Sequence, residues 1–216
     1  MNGPFAELHD YDALRTVTVS TAMVGEVAGV VVVVGSSQPA EILRPDAVAR
    51  RRRGGGGAVL LQPGDAWIDL WFPTGHEITD AGVTAGAVAV GQMWRAALVS
   101  LTSFTYVVHD RADEVDPALR LACFASVGAG EITCAARKVV GITQWRVREG
   151  VLFSTVVHAR PSISLVDELV TPPPALGDRL ATHATLESLG LQRRRHELID
   201  AVVDRSGAER RFIVTL

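Results

Sequence analysis

The order of apolar and polar positions divides the chain into short strands, one long helix and a helical tail. Residues 1–13 read as a weakly amphipathic lead-in, with Phe5, Leu8 and Leu14 apolar at roughly helical spacing. Residues 14–20 alternate, Val17 and Val19 against Thr16 and Thr18, which predicts a half-buried strand. The valine run 30–34 is short and β-branched, as expected of a buried central strand. It ends in a polar turn, Gly35-Ser36-Ser37-Gln38-Pro39, a place where ligand-lining loops occur. Pro45-Asp46 marks a helix start, with the helix running through Arg53. Residues 58–61 and 66–72 flank Gln62-Pro63-Gly64-Asp65 and predict a β-hairpin, with Trp67, Asp69 and Trp71 on one face.

Further on, the spacing predicts a helix over 85–101, capped by Asp80, with Val88, Met93, Ala97 and Leu98 on its apolar face. A strand is expected at 104–108 and a charged surface loop at 109–119. Residues 132–134, 139–146 and 151–157 form an antiparallel meander with a tight turn at Glu149-Gly150. Thr171-Pro172-Pro173-Pro174 is a stiff break, followed by helices near 178–189 and 191–203 and a closing strand or tail at 210–216. Mixed strands and helices make the fold class α+β or α/β, and α+β is the expectation once the resemblance given below is added. The expected organisation is one domain, 1–216, with 171–216 as a helical part packed on it.

Composition narrows the function. The chain has 216 residues, 48% hydrophobic and 21% charged, enough to bury a sizeable core. A net charge of -3 argues against a nucleic-acid binder. The longest apolar run, 28–34, is too short to cross a bilayer. Cys123 and Cys134 make no disulfide framework, and no secretory leader pattern is visible, so the expected compartment is a reducing cytoplasm. The histidines show no metal-ligand spacing.

The candidate chemistry lies in Arg50–Arg53 running into Gly54, Gly55, Gly56 and Gly57, then into apolar Ala58 and Val59. Glycine lets a ligand approach the main chain, successive amides make an anion-binding concavity, and arginine adds forked donors. A plain surface loop is the competing reading. A second segment, Arg137-Lys138-Val139-Val140-Gly141-Ile142-Thr143-Gln144, makes the pair more specific than either part.

Taken together, Gly35-Ser36-Ser37-Gln38, Arg51-Arg52-x-Gly-Gly-Gly-Gly-Ala58-Val59 and Arg137-Lys138-Val139-Val140-Gly141-x-x-Gln144 resemble the lipoate–protein ligases and their octanoyltransferase relatives, over about 30–158. The resemblance implies a biotin/lipoyl ligase (class II synthetase-like) catalytic domain, a mixed sheet with flanking helices. It implies ATP-dependent attachment of lipoate or octanoate, through an acyl-adenylate, to a lysine of a lipoyl carrier domain. That carrier would belong to a 2-oxoacid dehydrogenase E2 or a glycine-cleavage H protein. Lys138 would contact the acyl carbonyl and the adenylate phosphate; Arg51, Arg52, Ser37, Gly54–Gly57, Ala58, Val59, Gly141 and Gln144 would line the substrate and nucleotide sites. Asp65 is a candidate Mg²⁺ ligand. Cys123 is placed like the acyl-accepting cysteine of ATP-independent octanoyltransferases, which take the acyl group from acyl carrier protein; a buried core cysteine is the alternative. A non-catalytic acyl- or nucleotide-binding protein is a third reading. The chain departs from the pattern at Leu61, where a histidine is usual, at Asp65 for asparagine, at Ile142-Thr143 for a small pair, and at Phe153-Ser154-Thr155 for histidine-glycine-threonine. The accessory domain of the long ligases is missing or reduced to the residues after Pro172, so an accessory subunit is a further expected partner.

Overall fold

The computed structural model describes residues 5–216, so the first four residues of the lead-in lie outside the described residues. In chain order the elements are α1 (Tyr11–Leu14), β1 (Thr21–Glu26), β2 (Val31–Val34), β3 (Ala49–Arg51), β4 (Val59–Leu61) and β5 (Ala66–Pro73). Then come α2 (Glu77–Asp80), α3 (Val83–Leu101), β6 (Val107–Val108), β7 (Ile132–Cys134), β8 (Arg137–Val147) and β9 (Gly150–Val157). The chain finishes with α4 (Leu165–Glu168), α5 (Leu176–Thr182), α6 (Arg195–Ser206) and β10 (Arg210–Thr215).

Seven strands form one sheet in the order β10-β1-β5-β9-β8-β7-β6, and β3-β2-β4 form a second. The large sheet is antiparallel except where β10 runs parallel to β1. Its interior strand β5 separates two cores by simple alternation. Ile68, Leu70 and Phe72 point to the layer of α3 and α6, where Val90, Trp94, Leu98, Leu198 and Val202 cover them. Trp67 faces the small sheet with Val33, Leu60 and Phe124, while Trp71 packs with Tyr11, Met23 and Leu152. Between them Asp69 is buried, accepting from Trp67 Nε1 at 2.8 Å and facing His9 Nε2 at 2.5 Å. Polar satisfaction explains this carboxylate inside a sheet face.

The meander over β7, β8 and β9 and the closing strand β10 match the alternation pattern, and the valine run forms fully buried β2. Several expectations differ, among them the helix near 178–189, which ends at Thr182, and the strand at 104–108, which shortens to Val107–Val108. Residues 58–61 and 66–72 do not pair: β4 joins β2, whereas β5 has β1 and β9 on its two sides. The Pro63-Gly64 turn therefore carries the chain from one sheet to the other, and turn chemistry is the same for both outcomes. The helix expected through Arg53 is a strand, because residues 49–51 pair with β2 on one side. On the other side Arg51 exchanges backbone hydrogen bonds with Ala6 and Leu8. Residues 15–20 are not a strand; the strand starts at Thr21, after α1 has turned. Gly82, at φ 87°, rather than Asp80, precedes the long helix, and Asp80 ends the separate turn α2.

The β7–β8 turn holds Ala135 and Ala136 at φ 48° and 60°. Left-handed backbone costs an L-residue roughly 1–2 kcal/mol and glycine nearly nothing. Ala136→Gly should therefore raise stability by about 1 kcal/mol, read as a higher urea midpoint at unchanged slope.

Candidate active site

The arginine run is divided among three tasks. The Arg52 guanidinium is buried and donates to the Val33 carbonyl at 3.1 Å, to Gly55 at 2.8 and 3.2 Å and to Gly57 at 2.7 Å. It folds the glycine loop back onto β2, although burial works against its charge. Arg51 Nη1 donates to the carbonyls of Gly35 and Gln38, both at 2.9 Å, and so fixes the turn that carries exposed Ser37. Arg53 turns away to Glu7 and Asp12 and lies over the Tyr11 and Trp145 rings. Thr143 Oγ1 donates to the Gly55 carbonyl at 2.9 Å, so β8 holds the same loop from its other side. Among the described residues the amides of Gly55, Gly56 and Gly57 have no acceptor.

Ala58 joins this loop to the cysteine segment. Its amide donates to the Leu121 carbonyl at 2.7 Å, and its carbonyl accepts from Cys123 N at 2.9 Å. Gly57 sits in the crossing: a Cβ there would lie 2.5 Å from the Arg120 oxygen and 2.8 Å from Cys123 N. No larger residue fits.

Lys138 enters from β8 beneath Cys123. Its Nζ is 2.6 Å from Glu131 Oε2, 2.7 Å from the Cys123 carbonyl, 2.9 Å from the Ser126 carbonyl and 3.6 Å from Cys123 Sγ. Glu131 is held in turn by the amides of Gly128 at 2.6 Å and Ile142 at 3.0 Å. Burial disfavours the Lys138 ammonium, but the sulfur of Cys123 and the carboxylate of Glu131 more than offset it, so its pKa lies above the ordinary value. Burial raises the Cys123 thiol, Lys138 lowers it in part, and Glu131 adds to the rise. Glu131 is thus the ion-pair partner of Lys138, and the Cys123 sulfur stands beside the pair.

Two clefts meet at Cys123. One is apolar and is lined by Leu61, Val59, Trp67, Gly141, Ile142 and Val156. The second is bounded by Gly55–Gly57, Arg120, Glu131 and Lys138. Gln144 lies apart from both, donating to the Val83 carbonyl and accepting from Arg146. Leu61 forms apolar wall, whereas Phe153 points into the helix-side core beside Phe72.

No protein-family model matches the chain, and no curated protein matches it by sequence. Solved structures do match. A lipoate-protein ligase A bound with ATP superposes with a TM-score of 0.68 at 16% identity, covering 100% of this chain and 90% of that one. A Thermoplasma acidophilum protein with bound lipoic acid gives 0.65 at 14% identity, over 100% and 89%. A structure from the analysis of a bi-partite lipoate protein ligase and its E2 lipoyl domain from the same organism gives 0.60 at 16%, over 96% and 80%. The fold is that of the lipoate–protein ligases.

Within this ligase fold, Asp65 serves as an internal clasp. Its carboxylate accepts from Gln62 N at 3.0 Å and Ala159 N at 2.7 Å and lies 2.9 Å from His158 Nδ1. Both oxygens are engaged and fully buried, which does not fit a Mg²⁺ ligand. Among the described residues no group of three or more His, Cys, Asp or Glu is placed to hold a metal ion, and no helix is long and apolar enough to cross a membrane.

His158 continues into a ring cluster beneath Lys138. Phe124 lies 4.2 Å from His158 and 4.9 Å from His183, with Lys138 Nζ 4.9 Å above the Phe124 ring. Burial pushes His183 down to about 3, and neighbouring His158 adds to the shift. An unfolded histidine titrates near 6.5, so between these values the unfolded chain binds the extra proton. Stability is complete above about 6.5 and falls as pH drops toward the folded value. Between pH 7 and pH 5 the folded chain should lose about 2 kcal/mol through this group, measured by urea unfolding, and His183→Leu should remove most of that slope.

Sequence reasoning missed Glu131, Thr143 and the His183 ring. Glu131 left one usable signal, an acidic residue opening an otherwise apolar strand. Thr143 and His183 left none, since both act through contacts with distant segments.

Proposed function

We propose that this protein transfers a lipoyl-type acyl group to a lysine of a lipoyl carrier domain in an ATP-dependent reaction. The observation that carries the reading is the position of the Lys138 ammonium, held protonated where an apolar pocket meets a glycine-lined cleft. The pocket between Trp67, Val59 and Val156 takes the acyl chain, burying its methylenes from water. The residues present fit a nucleotide: unpartnered glycine amides and the basic side chains of Arg120 and Lys138 line a cleft wide enough for phosphates. Bound ATP would supply the adenylyl group that activates the carboxylate.

The chain's own residues then orient and stabilise. All three Nζ protons of Lys138 are engaged, so a bound acyl oxygen displaces one carbonyl or the thiol and takes a charged donor in its place. Negative charge that develops on that oxygen, as the carrier lysine attacks, is stabilised by a fixed cation in a dry site. Glu131 keeps Lys138 charged and aimed. The carrier would be the lipoyl domain of a 2-oxoacid dehydrogenase E2 or a glycine-cleavage H protein, with an accessory chain completing the enzyme where one is required.

A second reading rests on one distance, the 3.6 Å between Cys123 Sγ and Lys138 Nζ. Attack of the Cys123 thiolate on an octanoyl thioester, with the donor thiol leaving, would give an acyl-cysteine and need no ATP. The thiol would first have to lose its proton, and Glu131 Oε1, at 3.8 Å, is the nearby acceptor.

Intact mass of a lipoyl carrier domain separates the two. With lipoate, ATP and Mg²⁺, a lipoyl mass gain is expected, and it should persist in Cys123→Ser. A gain only from octanoyl-acyl carrier protein without ATP, lost in Cys123→Ser, establishes the transferase. No gain in either mixture, with an accessory domain added, rejects both in favour of a non-catalytic binding protein.

A further inference from the structure

The floor of the apolar cleft follows row by row from the strand register. Alternation sends Phe153 and Thr155 of β9 to the helix layer, where Trp94 Nε1 donates to Thr155 Oγ1 at 3.0 Å. Ser154 and Val156 therefore face the small sheet. Gly141, Val156 and Trp67 are register partners and make the first row of the floor. A Cβ on Gly141 would lie 3.7 Å from Cys123 Sγ, so this row adjoins the reacting groups. The next row on the same face, about 7 Å along the strands, is Thr143, Ser154 and Asp69. Beyond it come Trp145, Leu152 and Trp71, packed with Tyr11, and none of these lines the cleft. The cleft ends on the polar row.

Two of the three polar side chains are already engaged. Thr143 Oγ1 donates to the Gly55 carbonyl, and the Asp69 carboxylate faces Trp67 Nε1 and His9 Nε2. Ser154 makes no side-chain hydrogen bond among the described residues, and its hydroxyl is not sealed in as the His183 nitrogens are. β5 and β8 cover both edges of β9, so the half-buried exposure of Ser154 belongs to its side chain, in the cleft. An alkyl chain laid across that hydroxyl drives off its water and offers no partner, which is costly. An oxygen or sulfur substituent at the same level accepts its hydrogen bond, and a hydroxyl substituent also donates.

We propose that Ser154 is a specificity residue, selecting acyl chains that carry a hydrogen-bonding oxygen or sulfur near their far end over plain alkyl chains. The inference rests on the acyl-transfer reading in one respect, that the apolar cleft takes the acyl chain.

Calorimetry on the full chain tests it with octanoate, lipoate and hydroxyoctanoates bearing the hydroxyl on each of the last three carbons. Ser154→Ala should tighten octanoate and weaken the preferred heteroatom-bearing acid, changing the ratio of their dissociation constants by about tenfold. The Ser154 hydroxyl holds no other group of the protein, and an unchanged melting temperature verifies the fold. Ser154→Thr keeps a hydroxyl on a strand position and should keep the preference. A ratio that moves for lipoate assigns the sulfur as the partner, and one that moves for a hydroxyoctanoate assigns oxygen. Ratios that Ser154→Ala leaves unchanged for every acid, or binding of none of them, overturn the proposal. Binding needs no turnover, so failure of the acyl-transfer reading shows separately, as carrier domain without a mass gain while the acids still bind in this order.

Discussion

Lys138→Ala should lower carrier acylation by a factor of about 100 to 1000, the usual cost of removing one preorganised donor at a developing oxyanion. The same change should also destabilise the fold. It strands Glu131, whose carboxylate is 5% exposed, and frees the carbonyls of Cys123 and Ser126. Breaking one side of a buried pair costs about 3–5 kcal/mol, more than replacing both partners together. Lys138→Met with Glu131→Gln should therefore recover much of the stability and none of the activity. Near-normal turnover in either variant, by carrier mass gain against time, would sink the role given to Lys138.

Gly57→Ala and Gly55→Ala should separate in opposite directions although they are two residues apart. At residue 57 a methyl collides with main chain of Arg120, Ala122 and Cys123, none of which can rotate away. The expected cost is about 2–3 kcal/mol, typical of overpacking against rigid neighbours. Because the colliding segment carries Cys123 and its carbonyl, acylation should fall as well, by about 100-fold for a displacement near 1 Å. At residue 55 nothing lies within 4 Å of a new Cβ, and φ there is not positive. That change should stabilise the chain by about 0.5 kcal/mol through the unfolded state. Urea midpoints of both variants test the pair; equal midpoints would show that the loop does not rest against the cysteine segment.

Much of this architecture was legible because β-strand alternation is a local property. Ile68, Leu70 and Phe72 against Trp67, Asp69 and Trp71 reads directly as two faces, and the run β7–β8–β9 follows from adjacent strands and short turns. What failed depended on pairing at long range. Residues 49–51 have no strand signature of their own and are extended only because β2 and residues 6–8 flank them. Likewise Pro63-Gly64 makes the same turn whether the next strand pairs back or crosses to another sheet. In the candidate site the motif residues Lys138, Cys123 and Gly54–Gly57 do converge, since chemistry of that kind leaves residue types behind. Arg51 and Arg52 illustrate the limit: the sequence shows cations, and only the contacts show that main-chain carbonyls occupy them. Glu131 is hidden for the same reason, being an anion whose partner lies across a turn.

The Arg52 clasp has a consequence for binding thermodynamics. Four successive glycines have more backbone freedom to lose than any other tetrapeptide, roughly 1–2 kcal/mol per residue on ordering. In a free loop that entropy would be charged against each ligand that closed it. Here the guanidinium fixes Gly55 and Gly57 when the chain folds, before any ligand arrives. Association then meets a preorganised surface, and the heat-capacity change on ligand binding should report buried apolar area alone, without the signature of a segment folding.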